Sequence, residues 1–273
     1  MNEHRSHYLK YVKNIFSQNG EDGVIEELFK DLNILGGVVC EFGGWDGIWL
    51  SNIANLYLKS EKYQAILIES NLSRFQESLE LLKGYDNVES YNCMVSCDRD
   101  SELSLDNILK LSSFDLSADN FSLLSIDIDS SDYYVFESLE NYQPKVIIIE
   151  TGVQSLFEKC NYEMITYDRG CSLKSAKDLA EKKGYTLVCH TGNAFFVRND
   201  LIDNLPDKDY SIENLYIPFN EIVSYAAASK PDGTLGKYNQ EKGDVYFTSS
   251  EYLHFIEMTK SKLKKGNTLY GNN

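Results

Sequence analysis

The chain has 273 residues, enough for one large α/β domain or for a domain with a sizeable appendage. Lys and Arg number 26 against 42 Asp and Glu, a net charge of -16 whose field repels a phosphate backbone, so no nucleic-acid partner is expected. The opening "MNEHRSHYLKYVKNIF" has no apolar core of signal-peptide length and no segment approaches the ~18 apolar residues of a membrane span, which predicts a cytoplasmic protein without membrane insertion, its scattered cysteines serving as buried packing residues.

In chain order, "NGEDGVIEELFKDL" reads as a helix with Asn19 as its cap, acids in the first turn, and Val24, Ile25, Leu28, Phe29 and Leu32 at helical spacing. His4 and His7, before it, read as part of a mobile start. After the Gly36-Gly37 break, "VVCEF" is the first strand. A helix around "SNIANLYLKS", a strand "AILIES", a helix around "SRFQESLELLKG" and a strand near "VESYNCMVS" follow. "FSLLSIDID" and "KVIIIET" are near-continuous apolar runs, the pattern of central parallel strands covered on both faces. A helix through "LKSAKDLAEKKG" leads into "YTLVCHT" and "AFFVRND" around Gly192-Asn193, the signature of a β-hairpin, with Asn193 assigned to the turn for its tolerance of positive φ. From about Leu201 the chain is rich in Tyr, Asn and Asp, with Pro206, Pro218 and Pro231 and few strand signals. It reads as a cap, lid or oligomer contact ending in a frayed basic tail, "KSKLKKGNTLYGNN".

The stretch "VVCEFGGWDGIWLSN" carries the chemistry. A glycine cluster after a strand lets backbone N–H groups approach a ligand, with the next helix directing its positive end at it. The spacing is not the dinucleotide one: from Gly43 the positions two and five further on are Trp45 and Ile48, and from Gly44 they are Asp46 and Trp49. Glu41, at the end of the strand, can pair with an ammonium group above the sheet edge. Glu69, at the end of the next strand, can accept both hydroxyls of a ribose.

The ordered set "EFGGWDG", "LIES", "SIDIDSSDY", "VIIIET" and "TGNAFFVR", preceded by "SQNGEDG", resembles a class I S-adenosylmethionine-dependent methyltransferase. More narrowly, it is similar to the bacterial FkbM-like group linked to sugar and surface-glycan O-methylation. The likeness covers roughly residues 15 to 200. It implies a Rossmann-like seven-stranded sheet, mostly parallel with a C-terminal antiparallel hairpin and helices on both faces. Residues 1–201 would form the donor-binding domain with its helical leader, and residues 202–273 a C-terminal extension. Glu41, Gly43, Gly44 and Gly47 would surround the methionine and ribose part of S-adenosylmethionine. Glu69 would hold the ribose hydroxyls, the backbone around Val95 would border the adenine, and Asp127 would face the methionine end and the acceptor. Trp45 departs from the pattern, standing where many members carry a glycine.

Asp127 and Asp129 project to one side if their strand persists, and Glu150 ends the neighbouring strand. With Asp132, four carboxylates at one sheet edge need a compensating cation, proton or basic group. Asp127, Asp129 and Glu150 suit a hard cation such as Mg²⁺ that would bind vicinal sugar oxygens. Alternatively one carboxylate serves directly as general base, or Ser130, Ser131 and Asp132 merely cap the following helix. His190, which titrates near neutral pH, is a further candidate base. Gln18, Asn19, Glu21 and Asp22 read either as a capped helix start or as a polar flap over cofactor or acceptor. Arg169, Lys174 and Lys177 read as a solvated helix face or as a phosphate contact.

The expected function is O-methylation of a sugar hydroxyl or a phosphate-type decoration of a bacterial capsule or surface-polysaccharide precursor. That acceptor would be a small molecule or glycan precursor, nucleotide-linked in one version, and the enzyme a homo-oligomer in one version. The rivals are a nucleotide-sugar oxidoreductase or epimerase, disfavoured by the glycine spacing, and a non-catalytic binding protein on the same fold.

Overall fold

A computed structural model describes residues 6–128, 131–151, 171–206 and 209–217, together with two short strands at 237–239 and 244–246. The chain begins with a single 3-10 turn, His7–Tyr11, and continues through α1 (Glu21–Asp31), β1 (Gly37–Phe42), α2 (Ala54–Tyr57), β2 (Tyr63–Glu69) and α3 (Leu72–Leu81). Next come β3 (Val88–Asn92), α4 (Leu105–Leu109), β4 (Phe121–Ile126), α5 (Asp132–Ser138) and β5 (Val146–Glu150). The last part of the sheet domain holds α6 (Leu173–Lys182), β6 (Tyr185–His190) and β7 (Asn193–Arg198). Among the described residues there follow a further 3-10 turn (Asn199–Asn204), α7 (Ile212–Leu215) and the strands β8 (Lys237–Asn239) and β9 (Asp244–Tyr246), which pair as a separate two-stranded sheet.

β1 to β7 form a seven-stranded sheet in the order β3-β2-β1-β4-β5-β7-β6. The first five strands are parallel, whereas β7 runs antiparallel to both β5 and β6. This is a Rossmann-like seven-stranded sheet, mostly parallel and closed by the antiparallel hairpin that the sequence pattern predicts. The order reverses direction at β1 and β4, so the loops after those strands part at the carboxyl edge, where α/β sheets bind ligands.

The apolar runs explain the layers. Successive residues of a strand face opposite sides, so a strand covered twice must be apolar throughout. Val39, Leu67, Leu123, Ile148 and Phe195 face one core with Val24, Ile25 and Leu28 of α1 and Ala54 and Tyr57 of α2. Val38, Ile66, Leu124, Ile147 and Phe196 face the other, beneath Leu105 of α4, Phe136 of α5 and Ala176 of α6. Each such side chain, fully buried, contributes on the order of 1.5–3 kcal/mol.

Several local expectations are corrected. The N-cap of α1 is Gly20 in a left-handed conformation (φ 92°), not Asn19. A side chain at Gly20 would collide with Val12, so the leader's own packing selects glycine. His7 belongs to the first 3-10 turn and is half-buried, stacked edge-on against Tyr8, rather than part of a loose start. In the hairpin only Gly192 takes positive φ (110°). Asn193 is the first residue of β7, freeing its side chain for another task. β4 ends at Ile126, so the strand alternation on which the pairing of Asp127 with Asp129 rests does not extend to Asp127. Asp129, Arg169 and the basic tail lie outside the described residues.

Beyond Leu201, Leu205 and Ile217 are buried in the first core and Leu215 in the second. The chain as far as Ile217 is therefore built into the same packed body as the sheet. β8 and β9 form an antiparallel pair in a stretch where the sequence shows few strand signals. Among the described residues, no helix is long and apolar enough to cross a membrane.

Candidate active site

The site is organised by the loop after β1. Gly43, at φ 81°, lies so close to the end of β4 that an added Cβ would stand 1.7 Å from the Asp127 carbonyl oxygen. Its N–H donates to Ile68 O (3.1 Å), while Asp127 N–H donates to Phe42 O (3.3 Å), so three strand ends are stitched together at one point. Gly47, at φ 82°, is fitted among Leu67 and Leu82, and its carbonyl accepts the buried Tyr57 hydroxyl. Asp46 is buried and accepts from Ile48 N–H (2.9 Å) and Trp49 N–H (2.7 Å), which shapes the return toward α2. Gly44 carries no positive φ. An added Cβ there would meet only the Glu41 side chain, at 3.3 Å. Much of the glycine signal in the motif is thus a demand of chain packing.

Glu41 shares the sheet's carboxyl edge with Glu69, one strand away, but its side chain faces the α1 and α2 layer and is 2% exposed. One carboxylate oxygen accepts Ser51 Oγ (2.5 Å) and the other accepts Asn52 N–H (2.8 Å). Asn52 in turn donates its side-chain amide to Ser125 Oγ (3.0 Å), opposite Glu41 on β4. Burial pushes the Glu41 carboxyl up to about 7 despite those donors. With one loop donor on each oxygen and almost no exposure, the Glu41 carboxylate fixes the loop from inside.

Glu69 is placed differently. It is half-buried at the end of β2, and its two oxygens accept Trp45 N–H (3.1 Å) and Asn71 N–H (2.6 Å). A carboxylate offers about four lone-pair sites, so each oxygen retains room for a hydroxyl donor. That donor set fits a ribose. Asn71 also caps α3, accepting Ser73 N–H (3.0 Å) and Arg74 N–H (3.2 Å). Asn92, at the end of β3, donates to Glu69 O (2.7 Å), and beyond it Val95 is buried while Met94 is exposed. Glu69, Asn92 and the Val95 segment therefore follow one another along the edge.

Trp45 and Arg74 were not singled out as site residues by the sequence. Trp45 takes φ 52°, the conformation its glycine counterparts would adopt freely, and is 42% exposed. The Arg74 guanidinium lies 4.2 Å from the centre of its ring. The signal for Trp45 was present in its departure from the glycine pattern; that for Arg74 exists only in space.

At the acceptor end, Asp127 and Ile128 follow β4 directly and are half-buried. Asp132, the first residue of α5, is fully buried and accepts Ile128 N–H (2.8 Å); the N-cap of α5 is Ser131, whose side chain makes no cap hydrogen bond. Glu150 ends β5 beside Asn193 of β7. Among the described residues, His7, Glu27 and Asp31 form the one group of three metal-ligating side chains with ligand atoms within 4.8 Å of one another. It lies on α1 and the first 3-10 turn, away from Asp127 and Glu150.

His190 is 1% exposed and both ring nitrogens are engaged. Nδ1 accepts Ile217 N–H (3.2 Å), which places the proton on Nε2, 3.1 Å from Thr151 Oγ1. Thr151 Oγ1 donates onward to Gly192 O (2.5 Å), and Tyr216 stacks on the imidazole at 5.9 Å. Burial pulls the imidazole down to about 3, so it is neutral at ordinary pH. These contacts make His190 a neutral strut in the hairpin, and a general-base role would require one of its nitrogens to be freed. The leader reaches the same turn. Glu21, fully buried, accepts Asn193 Nδ2 (3.1 Å), Thr191 Oγ1 (3.4 Å) and Asn19 N–H (2.6 Å), and burial pushes its carboxyl up to about 7. Asp22, beside it, gathers Ile15, Phe16 and Ser17 N–H on one oxygen.

No protein-family profile and no curated protein sequence matches the chain. Solved structures do resemble it. A CurJ carbon methyltransferase aligns at 10% identity and TM-score 0.43, covering 66% of this chain and 53% of that one, so this chain spans about half its length. A SAM-dependent methyltransferase from Aquifex aeolicus aligns at 14% identity and TM-score 0.40, covering 69% and 94% of the two chains. The N-terminal domain of EvdMO1 with SAH bound aligns at 11% identity and TM-score 0.40, covering 65% and 78%.

Proposed function

We propose that the chain is an S-adenosylmethionine-dependent O-methyltransferase acting on a sugar hydroxyl or phosphate-type decoration of a bacterial capsule or surface-polysaccharide precursor. The observation that carries the donor is Glu69, half-buried at the end of β2 with two oxygens each holding one backbone donor and room for another, next to the glycine loop of β1. The acceptor class is supported by the resemblance of the ordered motifs alone.

The bound donor supplies a methyl group on a sulfonium, transferred by in-line displacement to an oxygen nucleophile. The chain's own part is positioning and proton removal. Glu69 holds the ribose hydroxyls. Glu41, through Ser51 and Asn52, fixes the loop whose backbone borders the methionine end. Asp127 follows β4 directly and Glu150 ends the adjacent β5, and Asp127 is assigned to receive the acceptor proton. His190, held neutral with both nitrogens occupied, supports the hairpin instead. The oxygen-rich pair Asp127 and Glu150, with Asp129, also suits Mg²⁺ as a second means of lowering the acceptor's pKa.

Isothermal titration with S-adenosylmethionine and S-adenosylhomocysteine tests the donor, with micromolar binding of both expected. Millimolar or absent binding overturns the proposal. A bound, redox-active nicotinamide would favour the oxidoreductase reading, and donor affinity without turnover over nucleotide-sugar and glycan panels would favour a binding protein.

A further inference from the structure

Trp45 combines features that ordinary loop packing does not call for. It is a bulky residue held at φ 52°, where glycine would rest without strain, and its indole is left 42% exposed. Its N–H is tied to Glu69 Oε2 (3.1 Å), the carboxylate assigned to the ribose. Its ring is covered by Arg74, 4.2 Å from the ring centre, and Arg74 is braced by Glu77 at 2.7 Å. Trp45 stands on the loop after β1 and Arg74 in the first turn of α3 after β2, so the pair spans the two loops between which a nucleoside would lie. An exposed indole, carried on a backbone tied to the proposed ribose acceptor and steered by a guanidinium, has one face for the cation and another for a flat or apolar ligand surface.

The geometry points to Trp45 as a positioning residue that closes over the nucleoside half of the donor, with Arg74 holding the indole in place; this rests on the donor reading above. The ligand chemistry recognised is a ribose with its attached base, not the amino-acid end. 5′-Methylthioadenosine, which lacks the amino-acid end, therefore feels the clamp as fully as S-adenosylhomocysteine does.

The sequence contains two tryptophans, so Trp49→Phe leaves Trp45 as the sole indole reporter in the full chain. In that protein, saturating S-adenosylhomocysteine is expected to shield the indole, lowering its acrylamide quenching constant by about half or more as the exposed ring is covered. Trp45→Gly, whose backbone suits φ 52°, should keep the wild-type melting profile while weakening S-adenosylhomocysteine and methylthioadenosine alike by about tenfold. Trp45→Phe should recover part of that loss, and Arg74→Ala should speed dissociation of both ligands several-fold. Unchanged quenching on saturation, wild-type affinity in Trp45→Gly, or a loss confined to S-adenosylhomocysteine each overturns the inference. Failure of the unsubstituted protein to bind either ligand overturns the donor reading itself, and is recognised before any substitution is made.

Discussion

Substituting the first two glycines of the β1 loop separates packing from chemistry. In Gly43→Ala the new Cβ would stand 1.7 Å from the Asp127 carbonyl oxygen and 2.8 Å from its carbon, both backbone atoms, at φ 81°. The left-handed conformation costs roughly 1–2 kcal/mol for a residue with a Cβ. Forcing the ends of β1 and β4 apart costs about 1–3 kcal/mol more, as in other overpacked sites. The retreat also loosens the Asp127 N–H to Phe42 O bond. A total of about 2–5 kcal/mol corresponds to a fall in melting temperature of roughly 10 °C for a domain of this size. Gly44→Ala is the internal control: no φ penalty applies, and the nearest atom is the movable Glu41 Oε2 at 3.3 Å, so the cost stays below about 1 kcal/mol. Calorimetric melting of both variants decides the matter. Equal melting temperatures, or a Gly43→Ala protein as stable as the parent, would refute the reasoning.

Glu69→Ala should weaken S-adenosylhomocysteine about tenfold to a hundredfold, the range for hydrogen bonds to a charged acceptor, and unchanged titration isotherms would remove Glu69 from the ribose site. Burial raises the Glu21 and Glu41 carboxyls from 4.5 to about 7, so their contribution to stability is fully present below 4.5 and is lost as pH rises through about 7. In urea unfolding across that window, Glu21→Gln should show a shallower decline than the parent, and a steeper one would contradict the assignment. His190 works in the opposite sense: burial lowers it from 6.5 to about 3, so its contribution is present above 6.5 and lost as pH falls toward 3. Its ring resonances should keep the neutral shift down to pH values where the protein unfolds, and a titration at 6.5 in the folded state would oppose that. For the Mg²⁺ reading, exhaustive chelation should abolish turnover of an identified acceptor while donor affinity persists, and full turnover would exclude an essential cation.

The sheet was legible because its central strands are apolar on both faces, which leaves "FSLLSIDID" and "KVIIIET" few alternatives, and because Gly192 marks the hairpin. The same two-sided burial hid which way Glu41 points, since a strand without polar alternation does not reveal its faces. α4 went unread as an element of its own, being too short, at five residues, to show a helical period, whereas α5 was anticipated only through its capping residues. Asn193 was assigned by its residue type to a turn, when its side chain serves Glu21 across 172 residues of sequence, a pairing that local pattern does not encode. Trp45 was visible as a misfit in the glycine motif, but its partner Arg74 became evident only once β1 and β2 lay side by side.

The attachment of the leader to the closing hairpin carries a consequence for how the molecule is made. Ser6 donates to Val188 O across 182 residues, and Glu21 waits for Asn193. A ribosome emits the leader well before the hairpin it docks on, so these contacts cannot form until β6 and β7 have emerged. Until then α1 carries two acids that will be buried, and those remain hydrated and charged. Their dehydration is therefore deferred until the leader seals against the hairpin strands β6 and β7.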